Sequence, residues 1–288
     1  IITKINPING DEIWKKEFPL IDADGYQGTT IFGYSYHNNV IKIITGLRRS
    51  GKSYLLFKLY ADYLKNNGIS DNHIIKIDLE DRRNAVLRNP DKLLSYIDSR
   101  MIDDKMYYIL LDEVQYVPEF EDVLNSYLKI DNADVYVTGS NSKFLSSDII
   151  TEFRGRGDQI HVYPLSFAEF MSVRNDHPSD AWREYYTFGG LPHVLALETP
   201  NKKIEYLKEI YSTVYVKDIV ERYKLRGEAE LKELLLVISS AIGSPTNPNK
   251  LANTFKSLKN VTLSNKTIDN YLTYFCESFL VNKSIRYD

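Results

Sequence analysis

Residues Gly46-Leu47-Arg48-Arg49-Ser50-Gly51-Lys52-Ser53 constrain the fold of this chain more than any other stretch, because they match G-x-x-x-x-G-K-[ST] at every position. The apolar run Val40–Thr45 precedes them and the amphipathic stretch Ser53–Tyr63 follows. A strand, a glycine-bearing loop and a helix N-terminus in that order form an anion cradle. The loop amides curl round a phosphate, and the helix end adds partial positive charge. Gly46 and Gly51 stand where a Cβ would block close approach, with Ser50 beside them in the cradle. Lys52 is expected to reach the β- and γ-phosphates of ATP, and the Ser53 hydroxyl to hold Mg²⁺. Arg48 and Arg49 have two readings, contact with phosphate or a neighbouring subunit, and plain solvated charge.

A strand at that position asks for partners, and the sequence supplies them. Runs at His73–Leu79, Met106–Leu111, Ala133–Thr138 and Gln159–Tyr163 are mostly apolar along consecutive positions, as strands buried on both faces are. Helical patterns fall between them at Lys52–Asn66, Pro90–Met101, Pro118–Ile130 and Lys143–Phe153, with Gly68 as a stop signal for the first. Strands alternating with helices require right-handed crossovers, so the fold class is α/β with a doubly wound parallel sheet. Beyond residue 165 the pattern is helical, broken at Gly189-Gly190-Leu191-Pro192, near Thr199-Pro200 and at Gly243–Pro248. The first 39 residues show little periodicity.

The second half of the candidate site is Tyr107–Glu113, an apolar strand closing on two adjacent carboxylates. Beside a phosphate loop, Asp112 is placed to enter a Mg²⁺ shell and Glu113 to polarise the attacking water. The strand Ala133–Thr138 runs into Gly139-Ser140-Asn141, which offers Thr138 or Asn141 as a polar contact to the γ-phosphate; the same run is also ordinary turn chemistry.

Composition narrows the class. The chain has 288 residues, 43% hydrophobic and 26% charged, with a formal charge of −3, which excludes a wholly disordered, collagen-like or coiled-coil chain. No apolar run approaches the roughly 20 residues of a transmembrane helix, so no membrane partner is expected. The single cysteine, Cys276, rules out an internal disulfide framework and points to a reducing compartment, the cytoplasm. The chain opens on Ile1 instead of methionine and is expected to be a trimmed piece.

With these motifs in place, the chain resembles AAA+-type ATPases of the bacterial and archaeal family whose P-loop domain is followed by a winged helix and an uncharacterised C-terminal domain. The resemblance rests on residues 44–53, 109–115, 137–142, 154–156, 162–170 and 215–222 and spans about 40–288. It implies a sheet of order 5-1-4-3-2. It also implies that Arg156, with Arg154 as local competitor, is inserted into a neighbour's active site, which makes a homo-oligomer a candidate assembly. Pro192 is similar to the proline of a Gly-x-Pro turn held near adenine, and the same residues serve equally as a helix breaker. A further domain beyond Asp288 is implied as well.

Three domains are expected: 1–165 the P-loop ATPase, 166–230 a helical lid and 231–288 a winged helix. In the winged helix, Asn249–Leu258 and Asn265–Leu280 are read as helices and Val281–Tyr287 as a wing strand. Residues 241–288 carry six basic side chains against three acidic ones, a slight excess that makes double-stranded DNA a candidate partner. Winged helices on ATPases also serve protein contacts. The expected function is Mg²⁺-dependent ATP binding and hydrolysis, with ADP as product, driving a conformational change; the alternative is a low-turnover, nucleotide-gated module that engages DNA or a protein.

Overall fold

The structure, a computed structural model, describes residues 2–5, 12–16, 19–21, 27–29, 40–139, 153, 156–225, 227–259 and 263–284. The chain divides into two compact units, 1–198 and 199–288. The segment 166–230 is therefore shared between them.

The first unit opens with two small antiparallel pairs, β1 (Ile2–Ile5) with β2 (Glu12–Lys16) and β3 (Pro19–Ile21) with β4 (Gln27–Thr29). Its centre is a five-stranded sheet of β5 (Ile41–Thr45), β6 (Ile74–Asp78), β7 (Tyr107–Asp112), β8 (Ala133–Thr138) and β9 (Gly157–His161). All neighbours are parallel and the order is β6-β7-β8-β5-β9. Numbered within the sheet and read from the other edge, this is the expected 5-1-4-3-2.

Side-chain alternation explains why helices cover both faces. Ile41, Ile43, Ile77 and Leu111 point into one core with Leu93 and Ile97 of α2 (Pro90–Asp98) and Phe120 and Leu124 of α3 (Phe120–Tyr127). Ile44, Leu110 and Tyr136 point the other way, against Leu55, Leu56 and Tyr60 of α1 (residues 52–66). Period-2 burial on both sides of the central strands is what a doubly wound sheet demands.

Local signals set the helix ends. In α1 the middle, Leu55–Tyr60, widens into i→i+5 turns between ordinary α turns. For α2, Pro90 sits in the first turn and the Asn89 side chain accepts from the Lys92 N–H. Of the expected helix Lys143–Phe153, residues 143–152 lie outside the described residues. Strand β9 starts two residues earlier than its hydropathy suggests, because Gly157 and Asp158 are recruited by register with Ile41 and Lys42. Three short helices close the unit: α4 (Phe167–Ser172), α5 (Pro178–Phe188) and α6 (Pro192–Leu195). Ser166 and Glu169 form a capping box at the first.

The second unit is helical: α7 (residues 200–222), α8 (Glu228–Ser240), α9 (Pro248–Lys259) and α10 (Asn265–Glu277). Its core joins Val216, Leu231, Leu234, Phe255, Ile268 and Phe275. Helix α10 stops before Leu280 because Phe279 takes a left-handed φ of 56°. Residues 281–284 form no strand, and 285–288 lie outside the described residues.

Candidate functional site

Parallel strands bring their C-terminal ends to one rim, and that rim collects Thr45 and the loop after it, Asp78, Asp112, Thr138 and His161. Two close approaches fix the loop. A Cβ at Gly46, whose φ is +142°, would lie 2.1 Å from the Val162 carbonyl oxygen. Gly51, at φ +98°, precedes α1 and accepts from the Leu55 N–H at 2.8 Å. The Pro192 ring is within van der Waals reach of the Cβ position of Gly51, 3.7 Å away, so α6 stands beside the phosphate loop. Gly190 makes that placement possible: a Cβ there would meet Leu165 O at 2.1 Å, and the Leu165 N–H donates to Gly190 O at 2.7 Å.

Lys52 is buried, and its Nζ donates to Gly46 O at 3.0 Å and Leu47 O at 3.1 Å. Burial pulls its pKa below the ordinary lysine value, opposed by the Glu113 and Asp112 carboxylates. The hydroxyls of Thr138 and Ser53 both hydrogen-bond Asp112. Burial nonetheless pushes the Asp112 carboxyl above its ordinary range, with the Glu113 and Asp78 charges adding to the push. Glu113 follows with a left-handed φ of 53°, and its N–H donates to Thr138 Oγ1 at 3.1 Å. Thr138 thereby indexes the two carboxylates to each other.

The residues present fit a magnesium nucleotide. Ser50 Oγ is buried with no hydrogen-bond partner among the described residues, inside a loop too tight for a Cβ at Gly46. No cluster of three or more His, Cys, Asp or Glu side chains suited to a metal occurs among the described residues. Mg²⁺ bound largely by phosphates and water needs only one or two protein oxygens, which Ser53 and Asp112 offer.

Of the other candidates, Arg48 and Arg49 are exposed on the loop. Asn141 and Arg154 lie outside the described residues. Arg156 is not brought to this rim. Its carbonyl accepts from the Ile41 N–H at 2.9 Å, at the start of β5. The five residues of that strand, at about 3.3 Å each, put its backbone roughly 16 Å from the phosphate loop.

Two neighbours of the site escaped the sequence reading. His161 pairs with Thr45 across β5 and β9, its ring Nδ1 lies 3.4 Å from Thr45 Oγ1, and burial together with the Lys52 cation lowers its pKa. Only the order of the sheet, never the spacing along the chain, places it there. Gln115, two residues after Glu113, hydrogen-bonds the Glu113 carboxylate.

Residues 38–171 match the family model described as "AAA domain". The chain carries an AAA domain. An AAA domain implies nucleotide binding, and this one contains the phosphate loop and the Asp112-Glu113 pair. Residues 179–288 match a domain of unknown function (DUF8612). An uncharacterized protein of Haemophilus influenzae is 34% identical over 86% of this chain and 63% of its own length. One of Methanocaldococcus jannaschii is 30% identical over 84% of this chain and 56% of its own. The chain thus spans about three fifths of the length of these relatives. Among solved structures, AMPPCP-bound DnaA of Aquifex aeolicus aligns over 84% of this chain and 83% of its own, with a TM-score of 0.40 and 12% identity. Cdc6p of Pyrobaculum aerophilum aligns over 83% and 79%, with a TM-score of 0.38 and 12% identity. Outside the AAA domain as within it, no helix among the described residues is long and apolar enough to cross a membrane.

Proposed function

We propose that this chain is a Mg²⁺-dependent ATPase whose nucleotide cycle drives a conformational change. The observation that carries the reading is the meeting of Ser53 and Thr138 hydroxyls on Asp112, beside a buried Lys52, at the mouth of a loop that excludes a Cβ. In this reading the amides of Gly46, Ser50 and Gly51 hold the phosphates and Lys52 contacts the β- and γ-phosphates. Ser53 Oγ and the Asp112 carboxylate would hold Mg²⁺, which supplies neutralisation of the charge that builds on the phosphates. Glu113 takes a proton from the attacking water, and Thr138 touches the γ-phosphate. Pro192 borders the nucleotide, so bound ligand is felt by α6 and the short helices before it. Arg48 and Arg49 are exposed for contact with phosphate or a second copy.

Arg156 is exposed at the far end of the sheet, which suits action on a neighbouring copy's nucleotide and not on its own. The second unit is proposed to include a winged helix whose α10, with Lys266 and Asn270 exposed, contacts double-stranded DNA.

Lys52→Ala is expected to abolish ATP binding, and Glu113→Gln to retain bound ATP while losing turnover. Turnover of the Glu113→Gln protein at the parent rate would sink the catalytic assignment. Steady-state ATPase rates with and without duplex DNA test the coupling; negligible turnover in both conditions would favour a nucleotide-gated switch.

A further inference from the structure

The Glu113 side chain is held by a residue that the proposed mechanism leaves unused. Gln115 Nε2 donates to Glu113 Oε2. The backbone brings them together: Glu113 is left-handed, and the Tyr116 N–H donates to Glu113 O at 3.1 Å, closing the tight turn Val114–Tyr116. The Gln115 amide oxygen is buried and has no hydrogen-bond partner among the described residues. An amide oxygen turned towards a carboxylate would be repelled, so the amide's orientation is dictated by Glu113. The glutamate backbone is pinned separately, through its N–H on Thr138 Oγ1. Thr138 thus contacts the glutamate backbone and Gln115 its carboxylate.

We infer that Gln115 is a positioning residue for hydrolysis, holding the Glu113 carboxylate by Oε2 and so fixing the direction in which it accepts a proton. This rests on the reading of Glu113 as the base. In the step concerned, the water oxygen bonds to the γ-phosphorus, and the bond from phosphorus to the β,γ-bridging oxygen breaks with its electron pair left on ADP. One water proton passes to Glu113 and the other stays on the released phosphate. Gln115 exchanges no proton; it removes rotational freedom from the base, and a displacement of about 1 Å at such a group can cost on the order of a hundredfold in rate.

The test measures ATP affinity, KM and kcat for Gln115→Met, which keeps the length and loses the donor, and for Gln115→His, which offers a ring N–H in its place. The methionine protein is expected to lose about ten- to a hundredfold in kcat with ATP affinity changed by no more than about twofold, and the histidine protein to recover part of the loss. A methionine protein with the parent kcat, or one in which only affinity falls, overturns the inference. Gln115→Glu has nearly the same shape and replaces the donor with a second carboxylate; it stands in if the methionine protein fails to fold, with the same loss expected and the parent kcat again overturning. Glu113→Gln measured alongside separates the two ideas. If it hydrolyses ATP at the parent rate, the base assignment fails; if it is inactive while Gln115→Met is not, only the role of Gln115 fails. Should parent turnover be too slow to measure, the ¹³Cδ resonance of Glu113 gives the answer directly: removal of the Gln115 donor must shift it, and an unchanged resonance refutes the contact.

Discussion

Gly46→Ala tests the geometry of the phosphate loop without touching a charged group. The new Cβ would meet Val162 O at 2.1 Å and Ser50 Oγ at 3.3 Å, at a φ of +142° that side chains with a Cβ rarely adopt. Val162 cannot easily give way, because its N–H donates to Thr45 O at 2.8 Å, continuing the β5–β9 ladder. Backbone strain of this kind costs roughly 1–3 kcal/mol, and overpacking a fixed neighbour adds about 1–3 kcal/mol. Together they take a large share of the 5–15 kcal/mol that holds a typical domain. The loop can relax by moving off Val162, which trades stability for cradle geometry; about 3 kcal/mol lost there weakens nucleotide binding by more than a hundredfold. Urea unfolding and titration with a fluorescent ATP analogue read the two costs separately. Gly243→Ala is the control: φ is +76° but nothing lies within 4 Å, so only strain of about 1–2 kcal/mol is expected and nucleotide binding stays as it was. If Gly46→Ala matched the parent in affinity and in stability to within about 0.5 kcal/mol, the close approach to β9 would be refuted.

Asp112→Asn should stabilise the ligand-free protein at neutral pH while weakening Mg²⁺-dependent ATP binding. Because burial raises the Asp112 pKa in the folded state above its ordinary 3.8, the native state binds more protons in that window and the parent loses stability as pH rises from about 3.8 through the raised value. Urea unfolding across that range should show this component in the parent and not in Asp112→Asn, and identical pH profiles would contradict the assignment. Lys42, 1% exposed in β5, pairs with Asp134 and sits 5.3 Å from the Tyr136 ring centre. Lys42→Met alone should cost about 3–5 kcal/mol, because Asp134 is left without its cation, and adding Asp134→Leu should return most of it; a double-mutant cycle by urea unfolding gives the answer.

The central sheet was readable because its strands are buried on both faces and announce themselves as apolar runs. Helix α1 was readable at both ends, from Lys52 at the loop to Asn66 before Gly68. Where burial is unequal, hydropathy misleads: β9 begins on Gly157 and Asp158, which only register with β5 makes a strand. The short N-terminal pairs β1–β2 and β3–β4 gave no usable period, being three to five residues long. At the site, the loop and the Asp112-Glu113 pair carry their spacing in the sequence. The approach of His161 to Thr45 depends on which strands become neighbours, and that of Pro192 to Gly51 on the contact of Gly190 with Leu165, information that spacing along the chain does not hold.

The two ends of the sheet are built to different standards. At the N-terminal end, His73 Nε2 lies 3.1 Å from Asp103 Oδ1, and the Tyr107 hydroxyl accepts from the Ile102 N–H at 3.0 Å and donates to Asp103 at 3.2 Å. Polar groups there satisfy one another. At the C-terminal end, burial disfavours the charged forms of both Asp112 and Lys52, and Ser50 Oγ and Gln115 Oε1 are buried without partners among the described residues. Each such group costs free energy in the ligand-free state. A triphosphate would neutralise Lys52 and accept from Ser50, and a cation on Asp112 would remove the penalty on its charge. Binding therefore relieves strain that the fold itself imposes. By mass action a ligand at a hundred times its Kd adds about 2.7 kcal/mol to stability. That gain should collapse in Lys52→Ala, which deletes the phosphate contact, and persist in Glu113→Gln, whose side chain acts on water and not on the bound nucleotide.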